Sequence, residues 1–375
     1  MKKIQMVDLQ SQYHRFKPEI DSAMQEVIES SAFINGPAVK QFQTALAEYL
    51  NVKHVITCGN GTDALQAALV ALDLQPGDEI ITTSFTFIAT VEVIGLLNLT
   101  PVLVDVDPDT YTIDTEQVEA AVTPRTKAII PVHLFGQGAE MQKINTIAEK
   151  HSLYIVEDAA QCLGADYNTP GGKQKLGTLG NIGCTSFFPS KNLGCFGDGG
   201  ACMTNDDVLA EKLRMFVNHG AKKKYYHETI GVNSRLDTLQ AAILNIKLPH
   251  LDEFNQSRQE VAAFYDNAFK NIDGLQIPVR NSNSEHVFHQ YVMRIKNGKR
   301  DELKEWLQQR DIPSMVYYPV ALHKQPAFRK WITKELSLPV SEQLTEEVLA
   351  LPVHTEMTKE QLEHIKNGVS SFFNK

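Results

Sequence analysis

The chain has 375 residues, 43% of them hydrophobic and 22% charged, with a formal net charge of −9. That is room for one large unit plus a smaller one. The acidic balance argues against nucleic acid as a partner, because neutralising a phosphate backbone takes a basic surface. Five cysteines (Cys58, Cys162, Cys184, Cys195 and Cys202) include no CxxC pair, so neither a disulfide framework nor a metal site is expected. No run approaches the ~20 apolar residues of a membrane helix. The opening MKKIQMVDLQSQYH lacks the apolar core of a secretion signal, so a cytoplasmic protein without membrane contact is expected.

In chain order, residues 18–31 and 37–50 carry apolar positions at three- and four-residue spacing and read as helices. HVITC (54–58) reads as a strand, GNGT as a turn and DALQAALVAL as a helix, and PGD leads into a second strand, EIITTSF. The alternation continues with helix 88–98, strand PVLVDV, helix 114–122, strand AIIPVHL, helix 140–150 and strand YIVED. Such alternation predicts a largely parallel sheet with helices on both faces. Beyond 180, CTSFF and GGACMTN read as short strands around a Gly-rich loop, followed by helix 206–217. The stretch from NSRLDTLQ to FYDNAFKN reads as almost wholly helical, broken near Pro249. From about 275, strand HVFHQYVMRI and helices 299–310 and 358–374 predict a smaller α+β unit. The expected units are therefore 1–250 and 251–375.

Three segments carry candidate chemistry. In CGNGTDA, Gly59, Gly61 and Ala64 fit the G-x-G-x-x-A pattern of an NAD site. The acid that pattern needs is missing, since Asp78 and Glu79 lie in the PGDE turn that enters the second strand rather than at its end. What remains is a strand entering a helix through Gly61 and Thr62, either a phosphate site of unspecified owner or a plain tight turn. In LYIVEDAAQ an apolar strand ends in Glu157 and Asp158, followed by Gln161. Ligands of open α/β sheets lie beyond the carboxyl ends of strands, and an acid there favours a protonated ring nitrogen; a helix cap or a solvated acid fits the same residues. Lys191, in CTSFFPSKNLGCFGDGGACMT, lies between two apolar strands, with Gly194, Gly197, Gly199 and Gly200 after it. An enclosed lysine loses basicity and can serve as a Schiff-base nucleophile, whereas a lone loop lysine is more often a solvated charge. An acid, a lysine 33 positions later and an upstream anion-binding helix start are together what pyridoxal phosphate (PLP) needs. Phe87, in SFTFIAT, is placed to stack on its ring or to fill core. Lys222, Lys223 and Lys224 read as a solvated loop or as cations for an anionic substrate.

The ordered strings GNGTDAL, FTFIAT, EDAAQ, TSFFPSK, GCFGDGGA and NSRLDTLQAAIL resemble the DegT/DnrJ/EryC1/StrS sugar aminotransferases, from VDLQSQY near the start to YYPVALHKQPAF at 317–328. The resemblance implies the PLP-dependent transferase fold type I: an α/β domain with a mostly parallel sheet, and a smaller C-terminal α+β domain. It implies that Lys191 forms the Schiff base with PLP and that Asp158 pairs the pyridine nitrogen. Gln161 would sit by the ring hydroxyl, Gly61, Thr62 and Ser186 would hold the phosphate, and Phe87 would cover the ring. Asn233 would reach the phosphate, and Arg235 the substrate, from a neighbouring subunit, which implies a homodimer with shared active sites. Asn60 stands where relatives more usually have Ser. Within the family the sequence is most similar to the branch that aminates UDP-2-acetamido-2-deoxy-3-keto-hexuronates for surface polysaccharide and lipopolysaccharide, with L-glutamate as the expected amino donor. A dTDP- or UDP-linked 4-keto-sugar is the alternative substrate, and a catalytically silent regulator on the same fold is the alternative of another class. Tyr317 stands where that branch has a His beside the sugar, and His323 is the candidate to replace it.

Overall fold

A computed structural model describes residues 2–332 and 335–374. The helices are α1 (Leu9–Arg15), α2 (Lys17–Ser30), α3 (Pro37–Leu50), α4 (Gly61–Ala71), α5 (Ala89–Leu96), α6 (Thr115–Ala121), α7 (Met141–His151), α8 (Asp207–Phe216), α9 (Thr238–Lys247), α10 (Leu251–Phe269), α11 (Arg300–Gln308), α12 (Pro339–Glu347) and α13 (Lys359–Phe373). The strands are β1 (His54–Cys58), β2 (Glu79–Thr83), β3 (Thr100–Val104), β4 (Thr126–Ile130), β5 (Tyr154–Asp158), β6 (Asp166–Thr169), β7 (Gly172–Lys175), β8 (Ile182–Ser186), β9 (Gly200–Thr204), β10 (Ala221–Lys223), β11 (Tyr226–His227), β12 (Leu275–Gln276), β13 (Tyr291–Ile295) and β14 (Val348–Leu351).

Seven strands form the central sheet in the order β1-β9-β8-β5-β4-β2-β3. All neighbours run parallel except β9, which pairs antiparallel with both β1 and β8. Side chains alternate faces along a strand, and here successive residues feed two different cores. Val55, Ile81, Ile129, Ile155 and Met203 join the core under α3, α6, α7 and α9. Their neighbours Ile56, Ile80, Ala128, Val156 and Cys202 join the core under α4, α5 and α8. Burial on both faces explains why these strands read as continuous apolar runs. All five cysteines are buried and free, as small apolar filling behaves. This is the mostly parallel, helix-flanked architecture of fold type I.

A third core gathers α10, α11 and α13 against the antiparallel sheet β12-β13-β14, with Ile4 from the start of the chain packed among them. Helix α10 serves more than one core: Leu251 lies in the sheet-side core, while Val261, Tyr265 and Phe269 lie in the third.

Some expectations shift. The strand foreseen over HVFHQYVMRI is confined to β13, because Ser284–Gln290 is tied to the 135–138 segment through Val287 N to Gly136 O (2.8 Å) and Gln290 N to Phe135 O (3.2 Å). The helix foreseen from Asn233 begins only at Thr238, since Ser234 N instead donates to Val217 O (3.1 Å). The break near Pro249 is a 3-10 turn, Leu248–His250, between α9 and α10.

Candidate active site

The site forms where β2, β5 and β8 end and α4 begins. Strand alternation separates the two acids of the EDAAQ segment. Glu157 is fully buried and saturated: it accepts from Gly177 N at 2.9 Å, from Leu179 N and Gly180 N at 2.6 Å each, and its Oε2 lies 2.8 Å from His133 Nε2. His133 Nδ1 accepts from Ala139 N (3.2 Å), so Nε2 carries the proton toward Glu157. Glu157 is therefore part of the frame.

Asp158 faces the other way. Its Oδ2 accepts from Thr90 Oγ1 at 2.8 Å, and its Oδ1 accepts weakly from Ala160 N at 3.3 Å. No cation makes an ion pair with it among the described residues. Burial raises its carboxyl pKa, and the Thr90 bond and the nearby Lys191 charge only partly oppose that. A carboxylate in this state gains a counter-ion if a protonated ring nitrogen lies beside it. Thr90 belongs to α5, which follows β2; the sequence offered no sign of this role, because the contact spans 68 positions.

Lys191 lies in the loop between β8 and β9, half-buried, its backbone N–H donating to Phe188 O (2.8 Å). Its amine has no hydrogen-bond partner among the described residues. Burial pulls its pKa down to about 8, against the opposing pull of Asp158. A free amine is thus available near neutral pH, as a nucleophile or a proton acceptor requires.

Gly61 opens α4 directly against Ser186: a Cβ at Gly61 would lie 2.7 Å from Ser186 Cβ and 3.3 Å from its Oγ. Only the missing side chain allows this approach. Asn60 caps the helix, its Oδ1 accepting from Asp63 N at 2.9 Å, a contact of the kind that contributes about 1 kcal/mol. Asn60 therefore does what a Ser would do there, and the first amides of α4, at Gly61 and Thr62, have no hydrogen-bond acceptor among the described residues. Glu79, weighed as a ribose ligand, starts β2 at the opposite end of the strand and pairs with Arg125 Nε at 2.9 Å.

Gln161 is buried, accepting from Phe135 N (2.8 Å) and donating to Tyr318 Oη (3.1 Å). Tyr318 in turn packs against Phe87 with ring centroids 6.3 Å apart. Phe87 is 54% exposed, a large ring left uncovered over the site. Tyr318 escaped sequence reasoning, being reached only by a chain crossing of more than 150 positions.

The remaining candidates divide. Tyr317 is half-buried beside Gln290. Asn233 is exposed, while the adjacent Ser234 is held by its own chain, accepting from Gly59 N (2.8 Å) and donating to Asp63 Oδ2 (2.6 Å). Arg235 is half-buried and has no hydrogen-bond or ion-pair partner among the described residues. His323 must be corrected: it is buried, with Nδ1 2.7 Å from Ser84 Oγ and Nε2 3.0 Å from Glu342 Oε1, so neither ring nitrogen is left to meet a sugar. Lys222 lies on the β10–β11 hairpin and pairs with Glu211 (2.7 Å) and Glu228 (3.5 Å).

A buried acid with no ion-pair partner and an amine of lowered basicity with no hydrogen-bond partner among the described residues, an open helix start beside a hydroxyl and an uncovered aromatic ring fit pyridoxal phosphate, and the molecule is a PLP-dependent enzyme. Its residues 14–370 match the model of the DegT/DnrJ/EryC1/StrS aminotransferase family, and the chain belongs to that family. It is 48% identical, over 99% of its length and 98% of the relative's, to a "pleiotropic regulatory protein" of Geobacillus stearothermophilus. It is 46% identical, over 94% of its length and 95% of the relative's, to the UDP-2-acetamido-2-deoxy-3-oxo-D-glucuronate aminotransferase of Pseudomonas aeruginosa. Relatives named for dTDP-sugar transamination match at 38–43% identity over 96–98% of this chain. The crystal structure of S. venezuelae DesV in complex with a ketimine intermediate superposes with a TM-score of 0.96 at 39% identity, covering all of both chains.

Proposed function

We propose that this enzyme transfers an amino group from L-glutamate to C3 of a UDP-linked 2-acetamido-2-deoxy-3-keto-hexuronate. The observation that carries the reading is that Asp158 ends β5 and Lys191 lies in the loop after β8, the strand beside it, with each charge favouring the charged form of the other. When bound, PLP withdraws electrons from the carbon bearing the amino group, so that a proton on that carbon becomes removable. In this reading the Lys191 amine carries the cofactor and, once displaced by the donor, takes and returns that proton. Asp158, oriented by Thr90, keeps the ring nitrogen protonated. Gly61, Thr62 and Ser186 hold the phosphate, Phe87 covers the ring, and Gln161 sits by the ring hydroxyl. Asn233 and Arg235 serve the site of a second copy, so the working unit is a homodimer. The exposure of Asn233 and the lack of a hydrogen-bond or ion-pair partner for Arg235 among the described residues support this. Tyr317 is the residue of this set left to meet the sugar.

The likeness at 46% identity over nearly the whole chain supports the 3-keto-hexuronate. Turnover of a panel of UDP- and dTDP-linked 3- and 4-keto-sugars with L-glutamate tests it. The account expects the UDP-3-keto-hexuronate to be preferred; preference for a dTDP- or 4-keto-sugar overturns the substrate assignment but leaves the reaction. The name of the 48% identical relative favours a second reading, a regulatory role. A silent regulator has no use for a lysine of lowered basicity under the influence of a buried acid, and detectable turnover decides against silence.

Two further outcomes follow from the geometry. The rate at which PLP-free protein takes up PLP rises with pH through about 8, as Lys191 loses its proton; a rate flat between pH 7 and 9 contradicts this. Gly61→Ala drives a methyl into Ser186 and weakens PLP affinity by about tenfold or more, at 1.4 kcal/mol per factor of ten, which equilibrium dialysis against PLP measures.

A further inference from the structure

One buried charge has no part in the chemistry above. Lys247, the last residue of α9, is 1% exposed, and no carboxylate pairs with it among the described residues. Its Nζ donates to Gly194 O at 2.6 Å and lies 5.2 Å from the centre of the Phe196 ring. An ammonium enclosed without an anion costs stability, and an apolar side chain of similar volume does better in such a place. Packing alone therefore gives no reason for a lysine here.

The carbonyl it holds is informative. Gly194 backs onto the turn that bears Lys191: a Cβ there would lie 2.3 Å from Pro189 O and 3.0 Å from Phe188 O. Phe188 O is the acceptor of the Lys191 backbone N–H. Two more side chains grip the same loop. Gln240, two helical turns before Lys247 on the same face of α9, accepts from Phe196 N at 2.8 Å. From α10, Asn255 Oδ1 accepts from Asn192 Nδ2 at 2.6 Å. The loop is thus fastened at Asn192, Gly194 and Phe196, directly after the residue that must present its amine, and the strongest fastening is a charge-assisted bond.

We propose that Lys247 is a positioning residue for Lys191, its ammonium holding the Gly194 carbonyl so that the Phe188–Lys191 turn aims the Lys191 amine toward Asp158. The idea rests on the proposed role of Lys191, and its test separates the two. Lys247→Met keeps the length of the side chain and removes charge and donor. Its melting temperature is expected to equal or exceed that of the wild type. In the PLP-free variant, amide hydrogen exchange over 188–197 is expected to speed up by about tenfold, the equivalent of about 1.4 kcal/mol, with other segments unchanged. PLP uptake and kcat fall together while KM for the keto-sugar holds, and Lys247→Arg, which keeps cation and donor, restores slow exchange in the loop. Unchanged exchange over 188–197, or a lower melting temperature with faster exchange throughout, overturns the proposal. Wild-type protein that fails to take up PLP refutes the role of Lys191 instead, and the exchange result still reports whether Lys247 holds the loop.

Discussion

Lys191→Ala protein purified in the presence of PLP is expected to be colourless and to show kcat lower by about 10⁴-fold, the upper end of the range for loss of a positioned proton-transfer group. The expectation comes from the isolation of this amine. No other side chain bonds to it among the described residues, and burial holds its pKa near 8, so it is the group at this strand end able to act as both nucleophile and base. The variant should fold normally: a half-buried, unpaired ammonium contributes little to stability, and removing it leaves no partner stranded. Visible absorbance during titration with PLP, set beside glutamate-dependent turnover, checks both halves of the statement. A yellow, active Lys191→Ala enzyme would move the chemistry elsewhere.

Asp158→Asn should keep colour but lose rate, with kcat down by about 10²–10³-fold, corresponding to the roughly 3–4 kcal/mol lost when one member of a buried charge pair is removed. The asparagine is nearly the same size and can still accept from Thr90, so structure and PLP content should hold. The sign of the pH effect follows from the same carboxyl. Burial raises its pKa in the empty site, so the carboxylate form is disfavoured there and returns when a cation arrives. PLP binding should therefore weaken as pH falls through the carboxyl's raised pKa in the wild type, and should lack that acid limb in Asp158→Asn. Thr90→Val, which leaves Oδ2 without its donor, should show a smaller loss of the same kind, read as kcat at constant KM.

Much of this was legible in the sequence because the sheet is buried on both faces and its strands read as apolar runs ended by turn residues. Asp158 and Gly61 were singled out because one ends a strand and the other opens a helix, Lys191 because it lies in a Gly-rich loop between two apolar strands, and Ser186 through the family resemblance. What escaped was set by distance along the chain. Thr90 on Asp158, Tyr318 on Gln161, and Lys247 on Gly194 join elements that no local pattern connects. Local pattern could not divide the doublet Glu157–Asp158; the resemblance chose Asp158, and the physical reason came with the strand, which turns Glu157 toward the three amides beyond Lys175. His323 went astray for a related reason: a histidine near a candidate sugar contact looked available, but Ser84 and Glu342, far away in sequence, occupy both its nitrogens.

The central claim is that the Lys191 amine, beside Asp158, carries PLP. The direct measurement is to incubate the protein with PLP, reduce with borohydride, digest, and locate the modified lysine by mass spectrometry. The account predicts a single cofactor adduct on the peptide that contains Lys191, absent when Lys191 is replaced. An adduct confined to another lysine, or none at all, would contradict it.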